Sequence, residues 1–181
     1  EPINQILTMP TLEIEFPSVK ETLDQNEEYF LLKNHQPGKI RFHDYRTIYS
    51  IPGLYEQVFS QRLKCRSPRV IADLLASTVK STGSDFSDLR ILDFGAGNGL
   101  VAEALSEHRP ELIVGVDILE EAKTAAMRDR KELYASYLVE DLAEADPRTM
   151  DDLKSLRLNA MVSVAAMGFG HIAPEGFVNA F

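Results

Sequence analysis

Apolar positions along this chain follow two regimes that meet near residue 89. Upstream they are sparse and mixed. Residues 1–27 carry only a short alternation, "TLEIEF" at 11–16, and no element is assigned there. "EYFLLKN" and "KIRFHDY" flank "HQPG" at 35–38, a turn signal between two short apolar runs, which predicts a β-hairpin. "PGLYEQVFSQRL" at 52–63 reads as a helix. "SPRVIADLLASTVK" predicts a helix over 67–80, capped by Ser67 with Pro68 in its first turn and with Val70, Ile71, Leu74, Leu75 and Val79 as its apolar stripe. "STGSDFSD" at 81–88 is a linker. Downstream, short apolar runs alternate with helical stretches. Strands are expected at "LRILDF", at 111–117, at 134–141 and at 159–167. Helices are expected at 98–108 and 120–131, and a third opens at Asp146-Pro147. Apolar strands separated by helices specify an α/β fold, a doubly wound, mostly parallel sheet with right-handed crossovers. The expected organisation is an N-terminal hairpin and helical extension over 1–66, then a sheet domain over 67–181.

Composition narrows the partners. Of 181 residues, 44% are hydrophobic and 26% charged, as in globular domains. The net charge of −9 opposes nonspecific nucleic-acid binding, so no nucleic-acid partner is expected. No apolar run approaches the ~20 residues that span a membrane, so no membrane partner is expected either. Cys65 is the single cysteine, which fits a reducing, cytoplasmic location. The four histidines have no metal-ligand spacing, and no metal is expected.

The chemistry concentrates at "ILDFGAGNGLVAEAL", residues 91–105. Gly95, Gly97 and Gly99 follow an apolar strand and precede a helix, at the strand end where open α/β sheets bind ligands. Glycines let the chain turn tightly and let a ligand lie against the main chain. A dinucleotide fingerprint reads G-x-G-x-x-G, whereas here the spacing is G-x-G-x-G and Leu100 stands where the third dinucleotide glycine would fall. Asp93 would repel a pyrophosphate and would suit an ammonium. Asp117 ends the second strand of this region, 20 positions after Gly97, where a carboxylate can accept both hydroxyls of a ribose. These residues ask for a ligand with a ribose and an amine but no pyrophosphate.

With these motifs the chain resembles the class I S-adenosylmethionine-dependent methyltransferases over residues 89–172. "LDFGAGNG" resembles the family's first motif, "VGVDI" at 114–118 its second, "VEDL" at 139–142 its third, and "VSVAAMGFGHI" at 162–172 its fourth-strand segment. The last is also similar to small-molecule members of the family. The resemblance implies cofactor contacts from Asp93, Gly95, Ala96, Gly97, Asn98 and Gly99. It also implies Asp117 on the ribose, Ile118 against the adenine, Asp141 at the adenine amino group beside Leu142, and Val164 near the sulfonium. Tyr49 and Tyr55 would form a lid, Phe169 would meet the substrate, and His171 is the candidate general base. The implied activity is methyl transfer to a small-molecule acceptor. The alternatives are a noncatalytic methyltransferase-like binding module and an NAD-dependent oxidoreductase.

The resemblance implies seven strands in the order 3-2-1-4-5-7-6, yet the sequence stops at Phe181, in the helix after the fourth. The expected sheet is therefore incomplete after strand four. An open edge there would seek a partner, by self-association of the chain or by aggregation.

Overall fold

The computed structural model describes residues 11–18, 23–24, 26–166 and 174–180. The chain divides into two compact units, Glu1–Cys65 and Arg66–Phe181.

The first unit holds a three-stranded antiparallel sheet, β1 (Ile14–Glu15), β2 (Tyr29–Leu32) and β3 (Lys39–Arg41), in the order β1-β2-β3. The expected hairpin is the β2–β3 pair, with Phe30 opposite Ile40. The alternation at 11–16 supplies the third strand, only two residues long, with Ile14 opposite Leu32. Helix α1 (Tyr45–Ser50) was not expected from the pattern. It is capped by Asp44, whose carboxylate accepts the Thr47 amide and hydroxyl. The helix expected over 52–63 is a short turn followed by a π-helical stretch, Glu56–Arg62. Phe30, Leu32, Ile40, Ile48, Leu54 and Val58 form the core of this unit.

The second unit begins with α2 (Ser67–Ser81). Its cap position is Arg66 rather than Ser67, which is already helical. The expected stripe is also rotated. Val70 and Leu74 are 53% and 58% exposed, whereas Ala72 and Val79 are buried, with Ile71 and Leu75 packed alongside. Ala72, outside the expected stripe, is fully buried, so the buried face turns toward it.

Four parallel strands follow: β4 (Arg90–Phe94), β5 (Leu112–Asp117), β6 (Ser136–Val139) and β7 (Ala160–Val162). Between them run α3 (Leu100–Ser106), α4 (Glu120–Asp129) and α5 (Pro147–Ser155), and α6 (Pro174–Ala180) comes last. The sheet order is β6-β5-β4-β7, the chain-order pattern 3-2-1-4. The chain winds outward from β4 to β6, then returns to lay β7 on β4's other side. The switch point of this doubly wound sheet therefore lies at the carboxyl end of β4. Among the described residues β7 pairs with β4 alone, in register Leu92 to Met161.

Alternation along the strands divides the core. Ile91 and Ile113 face α2 and α3, in a cluster with Ala72, Ala102, Leu105 and Val162. Leu92, Phe94, Val114 and Val116 face the opposite layer, with Leu142, Leu153 and Phe177. Buried on both faces, the strands read as nearly continuous apolar runs. Helix α5 starts where expected, since Asp146 accepts the Arg148 amide at 2.8 Å and Pro147 opens the first turn.

One row of the sheet breaks the apolar pattern. Val162, Asp93, Gly115 and Tyr137 lie side by side across the four strands. Gly115 leaves a gap there that the rings of Tyr134 and Tyr137 fill, edge to face with centroids 5.1 Å apart. A Cβ on Gly115 would stand 2.8 Å from Tyr137 Cδ2 and 2.9 Å from Tyr134 Cε1. Gly115→Ala is therefore expected to destabilise the protein by about 1–3 kcal/mol. Urea unfolding measures it, and wild-type stability would mean the rings are free to move aside.

Candidate functional site

Residues 95–99 leave β4 through a loop in which Gly95, Gly97 and Gly99 take φ of 76°, 53° and 87°. Residues with a Cβ rarely adopt these values, which is why glycine recurs at alternate positions. Gly99 also has a packing reason. Its Cβ would meet Arg130 Cδ and Tyr134 Cε2, each at 3.2 Å. Its open side faces the interior, contrary to the expectation that all three glycines clear space for a ligand.

The loop is held from two strands. Gly95 and Ala96 donate their amides to the Val116 carbonyl at 2.8 and 3.0 Å. Gly97 donates to Asp117 Oδ2 at 2.8 Å, and its carbonyl accepts the Tyr137 hydroxyl at 2.7 Å. Gly99 donates to the Ala96 carbonyl. The Asn98 carbonyl accepts from Arg130, whose Nε pairs with Glu103 of α3 at 2.7 Å. The amides of Gly95, Ala96, Gly97 and Gly99 are thus all satisfied within the protein. A phosphate-binding loop needs such amides directed at its ligand.

Asp93 lies beneath the loop and is fully buried. Its Oδ2 accepts the Tyr134 hydroxyl at 2.8 Å, and its Oδ1 has no partner. Burial pushes this carboxyl from 3.8 up to about 7; the Tyr134 hydrogen bond opposes the rise and the Asp117 charge adds to it. Burial also raises the Asp117 carboxyl, against the amides of Gly97, Leu119 and Ile118 that favour its charge. Tyr134 is held well above its ordinary range, first by burial and then by Asp93.

The other anticipated residues fall in several places. Asp117 stands at the end of β5 beside Ile118, an apolar side chain left 52% exposed. Asp141 is exposed and accepts the Ala143 amide at 2.9 Å. Leu142 is buried in the core, and its carbonyl accepts from Asn179. Val164 packs beside Val162, near Ser163, whose buried hydroxyl has no partner. Tyr49 and Tyr55 stack on one another at 5.4 Å and continue to Phe59, within the aromatic interior of the first unit. Phe169 and His171 lie outside the described residues. Sequence reading missed Tyr134, Tyr137 and Arg130. Their only advance signal was the glycine at 115, a small residue in a strand that otherwise favours large ones. Among the described residues no group of three or more His, Cys, Asp or Glu side chains could hold a metal, and no helix is long and apolar enough to cross a membrane.

No family model matches the chain. Over 74 residues it is 32% identical to ubiquinone biosynthesis O-methyltransferases of Neisseria meningitidis serogroups C and A, covering 38% of this chain and 31% of each relative. It thus spans about a third of the length of these curated relatives. Among solved structures it is similar to the plantazolicin methyltransferase BpumL with a substrate analogue and SAH (17% identity, TM-score 0.42, 75% of this chain and 64% of that one). It is also similar to magnesium protoporphyrin IX methyltransferase from Synechocystis PCC 6803 with bound SAH (23% identity, TM-score 0.35, 43% and 37%). The 3-2-1-4 strand order, with the glycine loop after its first strand, makes the second unit a doubly wound α/β fold, consistent with a class I methyltransferase-like one.

The buried carboxyl makes stability depend on pH. Folded Asp93 keeps its proton to about pH 7, whereas an unfolded aspartate loses it near 3.8. The folded state therefore binds more protons between those values, and stability falls as pH rises through that window, by about 4 kcal/mol from this group, then levels off. Asp93→Asn should flatten this part of the profile and gain on wild type between pH 5 and pH 8. Denaturant unfolding at the two pH values measures it. Parallel profiles for the two proteins would contradict the assignment.

Proposed function

We propose that this chain binds S-adenosylmethionine over the β4 glycine loop and belongs to an enzyme that methylates a small-molecule acceptor. One observation carries the reading: a loop whose glycine amides are internally spent overlies a buried carboxylate with an unpartnered oxygen. Such a site favours a cationic group and disfavours a phosphate. That separates the proposed ligand from a dinucleotide, whose pyrophosphate would face Asp93 and find few donors.

The residues present fit the cofactor. Asp93 is buried next to the loop, so its carboxylate acts on an ammonium held there by charge. Asp117 accepts the amides of Gly97, Leu119 and Ile118, and a carboxylate has about four acceptor positions, so one remains for the ribose hydroxyls. Ile118 offers an exposed apolar side chain next to them, suited to the face of a purine. Asp141 and Val164 complete the proposed set from the ends of β6 and β7. Leu142 acts through its position in the chain, because its side chain belongs to the core.

S-adenosylmethionine brings an already activated methyl group, so no protein nucleophile is required. What the chain contributes is orientation and exclusion of water. Asp117 and Tyr137 hold Gly97 through its amide and its carbonyl, and Asp93 lies buried at the end of the strand that leads into the loop. His171 is proposed as the base for an oxygen acceptor. The Neisseria relatives are named for O-methylation in ubiquinone biosynthesis, which supports an oxygen acceptor of modest size.

Calorimetry with S-adenosylmethionine and with NAD tests the proposal. Binding of the first and none of the second is expected. Asp117→Ala should weaken S-adenosylmethionine by about 2 kcal/mol or more, since it removes charge-assisted hydrogen bonds and frees the Gly97 amide. A folded variant with unchanged affinity would remove Asp117 from the site.

A further inference from the structure

Tyr134 is the protein group that donates a hydrogen bond to Asp93, and it does so from a segment outside every motif discussed above. Its ring stands over Gly115, and its hydroxyl reaches the carboxylate at 2.8 Å. We infer that Tyr134 is a positioning residue that keeps Asp93 ionisable, and that capture of an ammonium-bearing ligand at the glycine loop releases a proton from Asp93. The inference rests on the cofactor reading above.

The surroundings of Asp93 specify this coupling. In its own row, the described strand residues beside it are Gly115 and Val162, neither of which carries charge. From the end of β5 the anionic Asp117 faces it, and from β6 Tyr137 does, with its hydroxyl committed to the Gly97 carbonyl. After α4, Arg130 lies on the far side of Tyr134 and pairs with Glu103 of α3. No salt bridge to Asp93 occurs among the described residues, and its Oδ1 is without a partner. Oδ1 is itself buried, so a cation held at the glycine loop supplies the missing charge across a short, poorly solvated distance. The proton held by the carboxyl must then leave for solvent, and the carboxylate keeps its hydrogen bond from Tyr134 while the ligand's charge balances its own. Without the Tyr134 hydroxyl the carboxylate has no donor among the described residues, so the acid holds its proton to higher pH and the ligand must displace it at greater cost.

Isothermal titration of the whole chain with S-adenosylhomocysteine, in buffers of different ionisation enthalpy, reads this directly. Between pH 6 and 7 the ligand's amine is already charged, since α-amino groups titrate near 8, so a proton released then comes from the protein. Wild type is expected to release a fraction of a proton on binding, more at pH 6 than at pH 8. Asp93→Asn should release none in that range. Tyr134→Phe should release more at pH 7 than wild type does, and its affinity deficit, on the order of 10-fold at pH 6.5, should shrink toward pH 8. A merely structural role would lower affinity equally at every pH. Wild-type binding with no buffer-dependent heat, or a Tyr134→Phe deficit that is constant with pH, would overturn the inference and leave the cofactor reading standing. Failure of S-adenosylhomocysteine to bind wild type at any pH would overturn both.

Discussion

The site depends on one residue held through the peptide units on both of its sides. The Gly97 amide donates to Asp117 at the end of β5, and its carbonyl accepts from Tyr137 on β6. Gly97 itself sits just past β4, so three neighbouring strands converge on a single glycine. Any residue with a side chain would be strained at its φ of 53°. The clamp fixes where the loop runs, and the remaining loop amides follow it into bonds with Val116 and Ala96. A loop this fully satisfied offers shape more than donors, which is why its ligand must be recognised chiefly by the carboxylates around it.

Those carboxylates are costly to the fold. Asp93 is fully buried with one oxygen unpartnered, and the Asp117 charge nearby makes ionisation harder still. An apolar residue in that row would pack against Val162 and Gly115 at no such cost. The cost is intelligible if a cationic ligand completes the pairing, because groups strained in the free protein and relieved by the ligand concentrate at functional sites. Tyr134 keeps the arrangement tolerable in the meantime. Gly115 makes room for Tyr134, and the interior-facing side of Gly99 makes room for both Tyr134 and Arg130.

What was legible in the sequence was what local pattern encodes. The apolar runs ending in glycine or aspartate marked β4 and β5, and Asp146-Pro147 marked the start of α5. The strand order agreed with that implied by the motifs. Contacts between distant segments were not legible. Nothing periodic distinguishes Tyr134 and Tyr137 from ordinary strand residues, and their roles arise only when β6 lies beside β5. The stripe on α2 was misjudged because Ala72, too small to weigh in a hydrophobic pattern, is fully buried. The alternation at 11–16 was left unassigned because the strand it forms, β1, is only two residues long. Tyr49 and Tyr55 were expected as a lid, and nothing in the local pattern showed that their rings would stack on one another within the first unit.

The central claim is that ligand recognition centres on the clamped glycine loop and the carboxylates around it. Amide chemical shifts recorded by NMR during titration with S-adenosylhomocysteine test it most directly. The account predicts that the largest shifts fall on residues 95–99, Asp117 and Ile118, with smaller ones at Asp141 and none along β1–β3. Saturable shifts concentrated elsewhere, with residues 95–99 unmoved, would contradict it.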